Sequence, residues 1–180
     1  VRVLDCEGKG LNSWVIGGID WVTAHRQAPA VANMSLGGWF SQALNDALTR
    51  SSNSGVVYTV AAGNDDADAC STSPASARAA LTVAATDSSD EKAGFSSWGS
   101  CVDLFAPGVD IVSDYNTNDD ATISRSGTSM SAPHVAGAAA LYLQQHPSAG
   151  AAQVAGALIG NATADKVTKP GTETPNRLLY

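Results

Sequence analysis

Aromatic residues are scarce in this sequence, at 6% of 180 positions, and Gly and Ala are abundant in their place. That balance suits helices packed closely onto a sheet better than an aromatic-rich sandwich. Basic residues are also few, ten Lys and Arg against seventeen Asp and Glu, and they lie scattered. Phosphate recognition needs clustered positive charge, so no nucleic-acid partner is expected. The net charge of −7 implies mainly solubility. No apolar run approaches the ~20 residues that cross a bilayer. The longest, residues 56–62 and 132–143, fall well short, and the second contains His134, so no membrane partner is expected. Low-complexity tracts and internal repeats are missing too, and the length fits one domain, expected to be a monomer, with too little chain for two.

Cysteine is sparse. Cys6, Cys70 and Cys101 fit neither a Cys-x-x-Cys redox pair nor zinc spacing. Three buried thiols are one reading; one disulfide plus a cysteine whose partner lies elsewhere is the other, and spacing leaves both open. No basic segment, apolar leader or cleavage site precedes VRVLDC, which reads as a strand already in progress. The expectation is that an amino-terminal part of the same domain lies upstream.

What is present alternates. Short Val- and Ile-rich runs at residues 1–5, 31–36 and 56–63 are interleaved with helical stretches at 13–26 and 41–54, which is the grammar of βαβ units. VVYTVAA has no polar alternation, as expected of a parallel strand covered on both faces. Residues 64–120 read as loops over a sheet edge, with short strands near 80–85, 102–105 and 111–112. Helices are expected from Gly127 to about residue 145 and over 151–159.

Ligands of such sheets collect beyond the carboxyl ends of the strands. Three motifs fall there: SLGG at residues 35–38, AAGN at 61–64, and GTS at 127–129, which opens a helix. Ser129, in a first helical turn, is surrounded by free backbone N–H groups and the positive end of the dipole, where an oxyanion could be held. The bland alternative is that Thr128 or Ser129 caps the helix. Asn64 could donate to the same oxyanion or satisfy a tight turn. Pro133 reads as lying early enough in the helix for its missing N–H to cost little.

The order SLGG, AAGN, FAPG, GTSMSAPHVAG resembles the subtilisin-like serine protease family, in its proteinase K and aqualysin branch, over essentially the whole chain. A Gly-x-Ser-x-Gly elbow is the competing serine motif, but Ser131 stands where that elbow needs Gly. The resemblance implies a three-layer αβα fold with a mostly parallel sheet, of which residues 1–180 are the carboxyl-terminal part. It implies a secreted endopeptidase acting on polypeptides through an acyl-enzyme at Ser129, with Asn64 as side-chain oxyanion donor. Ser35, Leu36 and Gly37 would flank the bound peptide as a strand, and Ala61, Ala62 and Gly63 would line the pocket for the residue before the scissile bond. Small residues there imply large apolar or aromatic side chains as substrates, while Trp39, where the family runs on in glycine, and Asp65, beside Asn64, depart from that plain picture. By the same resemblance Cys70 pairs with Cys101, and Cys6 with an upstream partner. No catalytic cofactor is implied. A structural Ca2+ is, held by the carbonyls of Arg78 and Ala80 and the carboxylate of Asp103.

The family's aspartate motif (Asp-Ser/Thr-Gly) and histidine motif (His-Gly-Thr-His) do not occur in these 180 residues. His134 stands five helical residues after Ser129, about 140° round the axis, and reads as a buried structural histidine. His25 and His146 fall at helix ends. Alone, the chain is expected to be nearly inactive, and the rival reading is a non-catalytic peptide-binding relic of a protease.

Overall fold

The computed structural model describes residues 1–179. Its elements run α1 (Asn12–His25), β1 (Ala30–Met34), β2 (Gly38–Trp39), α2 (Gln42–Asn53), β3 (Val56–Ala61), β4 (Thr72–Ser73), β5 (Leu81–Thr86), β6 (Leu104–Pro107), β7 (Ile111–Asp114), β8 (Thr122–Arg125), α3 (Thr128–Gln145), α4 (Ala151–Asn161), β9 (Thr163–Ala164) and β10 (Arg177–Leu178). Six strands form one sheet in the order β1-β3-β5-β6-β10-β9. All pair in parallel except β9 with β10.

Every residue of β3 and β5 is buried, which is why neither strand alternates in polarity. Val56, Tyr58 and Val60 point one way into a core with Val15 and Ile19 of α1 and Leu44 and Leu48 of α2. Val57, Leu81, Val83 and Leu104 point the other way, onto Ala132, Val135 and Ala139 of α3 and Val154 of α4. Period-two alternation therefore feeds two helical layers, giving the αβα sandwich expected. A third cluster completes the α1 side: Ala84 and Phe105 are covered by Ala62, Ala69, Cys101 and Val102, so loops rather than a helix close the sheet there. A disulfide joins Cys70 to Cys101 within that cover, and Cys6 is free and exposed. No described helix is long and apolar enough to cross a membrane.

Two expectations are corrected. Residues 1–5 form no strand: Asp5 Oδ1 accepts the N–H groups of Glu7 (3.0 Å) and Lys9 (2.8 Å), so the segment closes on itself as a turn. Apolar residues alone do not make a strand without a neighbour to ladder against. Residues 64–120 do not lie over an edge either, since β5 and β6 stand in the middle of the sheet. Their shortness and the polar loops between them hid how deeply they are placed.

Candidate active site

β1 and β3 end side by side, and the chain beyond each turns toward the start of α3. The junction is stitched from both sides. On the β3 side, Asn64 Oδ1 accepts from the backbone N–H of Thr128 (2.9 Å) and from its hydroxyl (2.9 Å). Gly63 N–H in turn donates to Thr128 Oγ1 at 3.2 Å. One free N–H of the helix end is thus satisfied by a side-chain carbonyl. With that oxygen occupied by donors, Asn64 Nδ2 makes no hydrogen bond among the described residues and is left available to donate. The backbone must be glycine at position 63: φ is +115°, and a Cβ would come within 2.9 Å of Ser97 Oγ.

On the β1 side, Ser35 Oγ donates to the carbonyl of Ser129 at 2.7 Å, and Ser129 Oγ lies 3.5 Å from the carbonyl of Ser35. Behind it, Asn33 Nδ2 donates to Ser35 Oγ (3.0 Å) and Thr59 Oγ1 donates to Asn33 Oδ1 (3.2 Å). From a third direction FAPG clamps the turn: Gly127 N–H donates to Gly108 O at 2.8 Å. A Cβ on Gly108 would collide with Ser131 Oγ, so glycine there lets the loop lie on the first turns of α3.

These contacts separate the three serines of the motif. Ser126 Oγ accepts the Asp110 N–H at 2.9 Å. Ser131 is fully buried, and its hydroxyl has no hydrogen-bond partner among the described residues. Ser129 alone is half-buried and opens onto a cavity of about 420 Å3 that it shares with Asn64. The walls of that cavity are residues 36–39 on one side and 61–65 on the other, with Thr72 and Thr128. Leu36, Gly37, Ala61, Ala62 and Gly63 therefore meet in one place, and Ser35 sits beside it on Ser129. Trp39 and Asp65 line the same cavity.

Trp39, which departs from a glycine run, takes its place from strand pairing. β2 pairs antiparallel with β4, setting Trp39 opposite Thr72 and Gly38 opposite Ser73. Directly opposed residues share a face, so Trp39 and Thr72 form one wall, with Trp39 93% exposed. The acidic loop after Asn64 is structural. Lys92 Nζ, on a side chain only 10% exposed, donates to Asp66 Oδ1 (2.9 Å), Ser96 O (2.9 Å) and Ala93 O (3.2 Å). Asp68 Oδ1 accepts the Cys70 N–H at 2.9 Å.

None of the histidines contacts Ser129. His134 is exposed and not buried, with Nδ1 on the Met130 carbonyl at 2.8 Å, because its side of α3 faces away from the sheet while Ala132 and Val135 pack onto it. His25 bonds the Trp21 carbonyl and stacks on its ring, and His146 packs on Tyr142. Pro133 also differs from expectation. It is the sixth residue of α3, past the first turn, so its missing N–H leaves a helical carbonyl without its usual donor.

On the far side of the molecule, Arg78, Ala80 and Asp103 line one cavity of about 650 Å3. Burial pushes the Asp103 carboxyl up to about 6, against the pull of the Thr82 N–H and of Arg78. Its Oδ2 accepts that N–H at 2.7 Å, while the Arg78 guanidinium donates instead to Ser100 O, also at 2.7 Å. A desolvated carboxylate with no cationic side chain bonded to it, lining a cavity with Arg78 and Ala80, is an oxygen donor that fits a hard dication.

The fold and the junction define a class: an αβα protein with an accessible serine in the first turn of a helix and a side-chain amide fixed beside it, beyond the carboxyl ends of parallel strands. The sequence profile of the Subtilase family matches residues 1–178, and the chain belongs to that family. It is 56% identical over its full length to an extracellular serine proteinase of Thermus sp. (strain Rt41A), covering 44% of that protein. Identity to alkaline serine exoprotease A of Vibrio alginolyticus is 50%, again over the full length, covering 33% of it. Among solved structures, a cold adapted subtilisin-like serine proteinase superposes with a TM-score of 0.96 at 50% identity, the chain covering 65% of it. The chain thus spans less than half the length of these two curated relatives.

Proposed function

We propose that the protein carrying this chain is a secreted serine endopeptidase in which Ser129 attacks the scissile carbonyl. The observation that supports this most is the orientation of Asn64: with Oδ1 tied to Thr128, the amide NH2 is left to donate beside Ser129. In attack, the hydroxyl loses its proton, the Oγ–C bond forms, and the carbonyl oxygen gains the negative charge. Asn64 Nδ2 and the backbone N–H of Ser129 stabilise that charge, and the helix dipole adds to both. The intermediate collapses to an acyl-enzyme as the amine leaves with a proton, and water then releases the acid.

A base must take the serine proton, and no histidine among the described residues is placed to do so. We assign that role, and the carboxylate that orients the base, to parts of the protein outside these 180 residues, reaching Ser129 past β1. Among the described residues β1 pairs on one side only, and a groove of about 530 Å3 runs along it, lined by residues 1–4, Val15, Ile19 and 31–34. The peptide would lie as a strand along 35–37, with the side chain before the scissile bond in the 420 Å3 cavity; the apolar, small-residue walls favour large apolar or aromatic side chains. Secretion agrees with the Cys70–Cys101 disulfide.

Arg78, Ala80 and Asp103 would hold a structural Ca2+, whose chemistry is charge compensation of Asp103 and cross-bracing of β5 to β6. Ser129→Ala in the intact protein is expected to abolish casein hydrolysis; full activity in that variant would refute the assignment. Asp103→Asn is expected to remove the rise in Tm that added Ca2+ produces in the parent while leaving Tm in chelator no lower. An undiminished calcium response would place the ion elsewhere.

A further inference from the structure

An α-helix gives the carbonyl of residue i the N–H of residue i+4. For Ser129 that residue is Pro133, which has no N–H, and whose ring crowds the carbonyl four residues back. The orphaned oxygen is not left bare. Ser35 Oγ, from the end of a strand 94 positions away in sequence, donates to it at 2.7 Å. The direction of that bond is fixed by its own supply: Asn33 Nδ2 donates into Ser35 Oγ, so the serine proton is free to point at Ser129, and Thr59, fully buried on β3, holds Asn33.

We infer that Ser35 acts through its side chain as a positioning residue for the nucleophile, and that Pro133 creates the vacancy it fills. A proline one turn after the serine frees the peptide carbonyl from the helix, and a hydroxyl from the substrate-flanking segment captures it. The consequence is mechanical: the backbone of Ser129 is anchored to the same segment that would align the peptide, so nucleophile and substrate strand are held in one register. This rests on Ser129 being the nucleophile.

The test is a double-mutant cycle in the intact protein. Ser35→Ala is expected to lower kcat about tenfold or more through misplacement of the reacting atoms, with KM within about twofold of the parent. Pro133→Ala restores the N–H that a helix would supply, and its kcat is the reference against which the double variant is read. The double variant should recover most of the loss, because the carbonyl again has a donor. A double variant as slow as Ser35→Ala would overturn the inference, as would a Ser35→Ala defect confined to Tm or to KM. Labelling by a serine-directed phosphonate separates the two levels. A parent in which Ser129 takes no label removes the nucleophile and the inference with it; a labelled parent with Ser35→Ala labelled as fast removes the positioning role alone.

Discussion

The two flanks of Ser129 are built to different degrees of completion. On the β3 flank, Asn64, Gly63 and Thr128 form a closed set of hydrogen bonds, and the loop beyond is held down by Lys92 and the Cys70–Cys101 disulfide. On the β1 flank, the serine meets one hydroxyl, and past it, among the described residues, the sheet has an unpaired edge beside an apolar groove. Nearby, Leu11, Trp14 and Trp21 are about half exposed. The difference teaches how the labour of catalysis divides. On the proposed mechanism, the groups that stabilise charge are preorganised within this chain and the groups that move protons come from beyond it.

The sharpest way to break that contrast is to damage the finished flank. Asn64→Leu keeps the volume and removes both the donor and the tie to Thr128, and kcat in the intact protein should fall about 100- to 1000-fold with KM little changed. A loss under tenfold would mean that the amide is only a structural tie. Next in size is the brace. Replacing both Cys70 and Cys101 by Ser should lower stability by roughly 3 to 4 kcal/mol on the loop-entropy argument, read from denaturant midpoints. An unchanged midpoint would show that the loops covering β5 and β6 hold without it.

Trp39 tests the wall of the cavity that Asn64 and Ser129 share. Trp39→Gly should cut the preference for Phe over Ala before the scissile bond by roughly two- to tenfold, the worth of an aromatic contact, with the Ala substrate unaffected. An unchanged ratio of kcat/KM values would remove the indole from the binding site. The smallest effect is expected at Ser131, whose buried hydroxyl has no partner. Ser131→Ala should be neutral or stabilising by up to about 1 kcal/mol; a marked loss would reveal a role for that hydroxyl under Gly108.

Much of this architecture was legible because local chemistry agreed with tertiary placement. α2 is capped by Ser41, whose Oγ accepts the Leu44 N–H, and β3 is apolar throughout because both its faces are covered. Ser129 and Asn64 become legible as a pair through the order of the motifs and the family it resembles, since a helix start and a strand end alone leave capping and turn roles open. Where the outcome depended on a distant partner, sequence reasoning failed. Residues 1–5 have strand composition but no neighbour, and His134 sits in an apolar run yet faces out. Pro133 reads as harmless from its early place in the helix, and the structure shows that the N–H it lacks is the one the Ser129 carbonyl would receive. The amide direction of Asn64 and the Ser35 hydroxyl bond depend on residues 64 and 94 positions away, and no local pattern signals either.

The most direct test of the central claim is the site of covalent capture. The intact protein, treated with a serine-directed phosphonate, digested and analysed by mass spectrometry, should carry one adduct, on Ser129, in proportion to the activity lost. Inhibition with the adduct on any other residue, or full activity with Ser129 completely modified, would contradict it.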